Sequence, residues 1–226
     1  MTKAEVVKLL EKNKTARGIA AWERMGDKSM KSFGLGLTQV RLIAKKIGLD
    51  HNLALELWGS EYYEARVVAA LIDDPKLVTQ KQVDAQMKSA GFWILAYVYC
   101  GLITKTSFAQ ELATKWMKSK NDLQRRCGYL ILGNLAKHST TLDDKFFEPH
   151  IEIFEKKLQQ EENFVKDAMN VAMLYIGMRS AKLNKRAVQT AKKIGKVEVD
   201  YGDNSCEAMD CIKHLTNPTL LKRLAS

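Results

Sequence analysis

Apolar residues along this chain keep to helical intervals, and the patterns that would make strands are scarce. Residues 3–12 (KAEVVKLLEK) set Val6, Val7, Leu9 and Leu10 on one side of a helix, and residues 15–25 do the same with Ile19, Ala20 and Trp22. Gly26, Gly34 and Gly36 then mark a loop, and Thr38 offers an N-cap for a helix over 39–47. Further helices are predicted over 51–58, 61–72, 79–89, 92–103, 107–118, 121–136, 142–147, 149–160, 162–178, 183–194, 205–215 and 218–225. Pro75, Pro149 and Pro218 each fall where a helix boundary is expected on other grounds. Alternation of Val, Ile and Thr is nearly absent. The chain reads as all-α.

The longest apolar run is residues 91–103, GFWILAYVYCGLI. A bilayer span needs about 20 such residues, so this 13-residue stretch is expected to be a helix wrapped by the rest of a soluble protein. It carries Phe92, Trp93, Tyr97 and Tyr99, with Trp93 and Tyr97 one turn apart on one face. These rings fill core volume or line a groove opening on it. Residues 61–72, 121–132 and 162–176 share a texture, opening polar and then running apolar around small residues. Together with 91–103 their starts recur every 30 to 40 residues or so, the mark of stacked helix pairs whose inner members show their N-terminal ends in a groove. An α-solenoid is expected, with a compact helical bundle as the competing architecture.

Charge adds a partner class. The 226 residues carry 36 Lys plus Arg against 26 Asp plus Glu, a net +10 that favours a polyanion. The strongest local signal is residues 179–196 (RSAKLNKRAVQTAKKIGK), with seven basic residues and no acid. Lys182, Lys185, Arg186, Lys192, Lys193 and Lys196 share an arc of roughly 120°. Small residues such as Ala187 and Ala191 lie opposite, suited to a helix neighbour rather than to a membrane surface. Lys115, Lys118, Lys120, Arg125 and Arg126 form a second cluster around a predicted helix start at Asn121, where free backbone N–H groups also favour an oxyanion. The N-terminal residues lack an apolar signal core, and Cys100, Cys127, Cys206 and Cys211 read as reduced thiols in apolar or helical settings, so a cytoplasmic protein is expected.

Enzymatic motifs are lacking. Gly34 and Gly36 follow no strand and precede no Gly-Lys-Ser/Thr, so they are not a phosphate loop. Cys206, Cys211 and His214 match no zinc spacing, and the four histidines stand in no nucleophile–base motif. No cofactor or metal is expected.

Residues 56–75 (ELWGSEYYEARVVAALIDDP), the Trp93 helix, 123–132 (LQRRCGYLIL) and 165–179 (VKDAMNVAMLYIGMR) resemble, in order and spacing, the DNA alkylation repair proteins of the AlkD type. The tail YGDNSCEAMDCIKHL is similar to the ending of one subgroup. The resemblance, over about residues 30–215, implies a right-handed α-α superhelix of HEAT-like repeats whose concave basic face holds DNA. It implies one domain over 1–226, with N-terminal helices over 1–26 and a capping segment over 196–226. The family excises cationic alkylated purines using a Trp, an Asp four residues later, a second Trp on a later helix and an Arg that grips phosphate. Trp93 matches the first Trp and Arg126 the Arg, with Arg125 adjacent. Tyr97 stands where the Asp is expected, and Val171 where the second Trp aligns. A carboxylate stabilises the positive charge that grows on the sugar as the base leaves, and a neutral phenol does not.

The resemblance and the charge pattern together imply a protein, expected to be a monomer, that binds duplex or structured DNA, mainly through the phosphate backbone, by Arg125, Arg126, Lys182, Lys185, Arg186, Lys192 and Lys193. No membrane partner is expected. Base excision is weak or lost at Trp93 and Tyr97. One alternative is an active 7-methylguanine or 3-methyladenine glycosylase drawing its carboxylate from Glu64 or Asp167. Another is a protein-interaction scaffold.

Overall fold

The computed structural model describes residues 1–25, 29–91, 93–203 and 205–225, without the side chains of Met25 and Trp93. Gly26 and Phe92 thus lie outside the described residues. Among those described there are fourteen α-helices and no strand, with one isolated bridge between Lys31 and Tyr62. The helices fall into two compact units, Met1–Phe108 and Ala109–Ser226.

The first unit holds α1 (Lys3–Lys12), α2 (Ala16–Met25), α3 (Leu37–Ile47), α4 (His51–Trp58), α5 (Tyr63–Ile72), α6 (Gln80–Met87) and α7 (Trp93–Ile103). α5 is its centre, buried along most of its length and packed by α3, α4 and α7. The long apolar run becomes α7 as expected, with Leu95, Ala96, Val98, Tyr99, Cys100, Leu102 and Ile103 all buried. Tyr97 is the large side chain described on α7 that reaches solvent, at 37% exposure.

Glu64, in the first turn of α5, is fully buried. Its carboxylate accepts hydrogen bonds from the Ser32 hydroxyl (2.6 Å) and from the Phe33 and Leu35 N–H groups (3.0 Å each). A buried anion needs such donors, and here they fix the glycine-marked loop on α5. That loop also packs tightly against α2. A Cβ on Gly18 would lie 2.0 Å from the Gly34 oxygen, and Gly34 itself has φ of 72°. The loop glycines thus permit close backbone approach.

The second unit holds α8 (Ala109–Trp116), α9 (Asp122–His138), α10 (Asp144–Lys157), α11 (Asn163–Gly177), α12 (Ala181–Ile194), α13 (Cys211–Leu215) and α14 (Pro218–Ala225). α9 and α11 lie side by side and run the same way. Arg125 meets Glu161, Arg126 meets Phe164, Gly133 meets Ala172 and Lys137 meets Tyr175. α10 and α12 are also parallel neighbours: Glu148 bonds Lys182 and Arg186, and Glu155 bonds Thr190 and Lys193, at sequence separations of 34 to 38 residues. α8 packs on α9 and α10 on α11. Two parallel layers offset by one helix pair are the geometry of an α-α repeat.

Four sequence expectations fail. Pro149 does not end a helix but sits inside α10, so the expected helices over 142–147 and 149–160 are one. A proline there forfeits about 3 kcal/mol. Phe147, Ile151 and Phe154, all fully buried by the continuous helix, gain about 1.5–3 kcal/mol each and outweigh it. The helix expected over 205–215 forms only from Cys211, because the Asn170 amide holds the Met209 carbonyl (2.8 Å) and Asp210 caps the Lys213 N–H (2.9 Å). Cys206 is consequently exposed and non-helical, unlike the other three cysteines, which are buried. Thr38 is not an N-cap: α3 begins at Leu37, and the Gly36 N–H donates to Gln39 Oε1 (3.1 Å).

Two measurements check these anchors. Glu64→Gln turns an amide toward three donors and should cost about 2–4 kcal/mol by urea unfolding. Arg125→Ala, which strands the half-buried Glu161, should cost about 2–3 kcal/mol, whereas Lys192→Ala stays within about 0.5 kcal/mol.

Candidate nucleic-acid interface

The basic cluster at the start of α9 divides by burial. Lys115, Lys118 and Lys120 are exposed. Arg125 is largely enclosed and fully used: its guanidinium donates to Glu161 Oε2 (2.8 and 2.9 Å), Asp122 Oδ1 (2.8 Å) and the Ser119 carbonyl (3.0 Å). Its geometry is that of a brace between α9 and α11. The start of α9 is capped by its own Asn121, whose side chain accepts from the Gln124 N–H.

Arg126 is only 5% exposed. Its guanidinium carbon stands 5.0 Å from the centroid of Phe164, a cation–π contact with the first turn of α11. Asp167, one turn further along α11, lies within electrostatic reach of Arg126 and accepts a hydrogen bond from the Tyr201 hydroxyl (2.7 Å). Burial raises the Asp167 carboxyl above its ordinary range, against the opposing pull of Tyr201 and Arg126. The Tyr201 phenol is pushed well up by burial and by the same carboxylate. The Tyr201 ring, 6.3 Å from Phe164, completes the cluster.

Neither Phe164 nor Tyr201 is singled out by sequence reasoning. A signal for part of the arrangement was present. Asn163, Asp167 and Asn170 recur at helical spacing, a polar stripe on an otherwise apolar inner helix that needed a partner. The tail is that partner. Asn163 binds the backbone of Asp200 through both amide atoms (2.5 and 2.8 Å), Asp167 takes Tyr201, and Asn170 takes Met209. Val171, aligned with the family's second Trp, is half-buried and two turns beyond Phe164. The aromatic that faces Arg126 is Phe164.

The basic stripe of α12 is half spent. Lys182 and Arg186 pair with Glu148 (2.8 and 3.1 Å), and Lys193 pairs with Glu155 (2.7 Å). Hydrogen bonds from Lys182 and Lys193 hold Glu148 and Glu155 below the ordinary carboxylate range. Lys185 and Lys192 are exposed and lack an ion pair among the described residues. The stripe borders α10, whereas Arg125 and Arg126 border α11, so the two basic clusters belong to different layers of the second unit.

In the first unit, Tyr97 is exposed on α7, while the side chain of Trp93 lies outside the described residues. Of the carboxylates considered as substitutes, Glu64 is saturated by its loop. Asp167 stands beside Arg126 and Phe164.

Comparison with known proteins places this fold. A solved structure from a family described as related to the HEAT-like repeat DNA glycosylases, with affinity for branched DNA structures, superposes with a TM-score of 0.84 at 24% identity, covering 99% of this chain and 96% of that one. That likeness shows the fold. The uncharacterised proteins Lin0241 of Listeria innocua and Lmo0209 of Listeria monocytogenes are 27% and 25% identical to it, each over 83% of both chains. The family model for the DNA alkylation repair enzyme matches residues 6–201. With that match spanning most of an all-α chain of paired helices, this protein belongs to the DNA alkylation repair family.

Proposed function

We propose that this protein acts as a DNA-binding member of its family, engaging duplex or branched DNA through phosphate contacts, with base excision weak or lost. The observation that carries the reading is Tyr97. The position that the resemblance aligns with the catalytic carboxylate is filled by an exposed phenol on α7, and a phenol brings no negative charge to a sugar cation at neutral pH. Affinity for branched DNA in a protein of the same fold supports a binding role that needs no excision.

Within the two basic clusters, the cations available for phosphate without rearrangement are Lys185 and Lys192, together with Lys115, Lys118 and Lys120. Lys182, Arg186 and Lys193 reach DNA by exchanging a glutamate for a phosphate, a swap that costs little at an exposed ion pair. Arg126 remains the arginine assigned to phosphate by the resemblance, and it requires an opening of its surroundings.

A second reading rests on Asp167. A half-buried carboxylate beside Arg126 and Phe164 could supply the charge that Tyr97 does not, giving slow release of a cationic purine.

Fluorescence anisotropy with labelled linear duplex and four-way junction tests the binding role. Affinity should fall steeply with salt, and Lys185→Glu with Lys192→Glu should weaken binding at least about tenfold at low salt. A flat salt response would remove the reading. Release of 7-methylguanine from methylated duplex should match the no-protein rate. Release above that rate, abolished by Asp167→Asn, would establish the second reading in its place.

A further inference from the structure

The segment that follows α12 inverts the charge of the protein. Residues 197–210 (VEVDYGDNSCEAMD) carry Glu198, Asp200, Asp203, Glu207 and Asp210 with no lysine or arginine, in a chain of net charge +10. Its described residues form no helix up to Asp210 and most are exposed, so little apolar burial holds the segment down. What holds it is a row of hydrogen bonds. Gln159 donates to the Ile194 and Lys196 carbonyls (3.1 and 2.9 Å), Asn163 clasps Asp200, Tyr201 bonds Asp167, and Asn170 takes Met209. The turns at both ends of the strap's first half use glycines at positive φ, Gly195 (77°) and Gly202 (82°).

The strap runs along the one face of α11 that carries Phe164 and Asp167, and Tyr201 delivers its ring to the cluster that encloses Arg126. We propose that this acidic strap is an intramolecular competitor of DNA: Tyr201 covers the approach to Arg126, Asp200 and the strap's other carboxylates bring negative charge to the same face of α11, and the strap must lift before a phosphate reaches that arginine. The inference rests on the DNA-binding reading above. A chain of carboxylates spaced along an extended backbone presents repeated negative charge to a basic surface, as a nucleic-acid strand does. The observed affinity is then the intrinsic affinity scaled by the fraction of molecules with the strap open. Such a device favours ligands that present dense charge, because they displace the strap where a sparse polyanion does not.

The test separates the latch from the charge. Full-length protein carrying Asn163→Ala with Tyr201→Phe loses latch bonds but keeps every strap carboxylate. Asp203→Asn with Glu207→Gln neutralises two exposed carboxylates and keeps the latch. Arginine modification by phenylglyoxal, read by mass spectrometry, reports the cover on Arg126 without DNA. Anisotropy with a labelled four-way junction reports binding, and circular dichroism confirms that each variant is folded.

The latch variant is expected to modify Arg126 about tenfold faster than wild type, and both variants to bind the junction about five- to tenfold more tightly. The gain of the latch variant should vanish when Arg126→Gln is added. Unchanged modification of Arg126 in the latch variant overturns the proposal. So does faster modification with no gain in affinity, or a gain that survives Arg126→Gln. Absence of junction binding by every variant at low salt would defeat the DNA-binding reading, and the competitor role with it. The labelling rates would still report whether the strap covers Arg126.

Discussion

The seating of α9 against α11 is the contact on which the chemistry of the second unit depends. Gly133 lets the two helices come so close that a Cβ there would lie 3.1 Å from the Ala172 backbone. Gly128 does the same toward the end of α8, where a Cβ would meet the Met117 nitrogen at 2.5 Å. Side chains larger than hydrogen at either point would push α9 away from its neighbours. At this spacing Arg125 can span to Glu161 and Arg126 can lie on Phe164. A shift of one turn would separate both pairs and leave two buried charges without counterparts, so the small residues and the arginines specify the same register from two directions.

Charge has a less direct relation to function than the composition suggests. Several of the arginines are already committed within the fold. Arg125 braces two helices, and Arg179 donates to the Ala136, Ser139 and Leu142 carbonyls while stacking over Phe147. The α12 stripe is shared with α10. The cations of the two basic clusters that are left in solvent without an ion pair among the described residues are lysines, which suit long-range attraction of a polyanion better than a shaped grip on one phosphate. An arginine with geometry suited to a grip, Arg126, lies beneath aromatic rings and next to an acidic segment.

The two positions that the resemblance matches to the family's carboxylate and arginine depart from expectation in different ways, each within its own unit. At the aligned carboxylate position the chemistry changes through replacement, with Tyr97 on a helix whose remaining described side chains are mostly buried. At the arginine position the residue is kept but enclosed. Neither feature disturbs the packing of helix pairs. A repeat scaffold tolerates this because each pair is stabilised mainly by its neighbours.

The helical period of the apolar residues, the small residues inside the inner helices and the aromatic-rich run at 91–103 were enough to determine an all-α chain of stacked pairs, because burial of a helical face depends on spacing that sequence displays directly. Family membership was legible in the order and spacing of residues 56–75, 123–132 and 165–179. What only the tertiary structure decided was the fate of each polar group. Pro149 was absorbed into α10 because three buried residues outweigh one missing hydrogen bond, and Glu64 became a loop anchor because three donors converge on it. Three of the five α12 cations met glutamates some 34 to 38 residues away in sequence, and the acidic tail found the polar stripe of α11. Those partners are distant in sequence, and a charge or a hydrogen-bonding group has no period that announces which distant group it will meet.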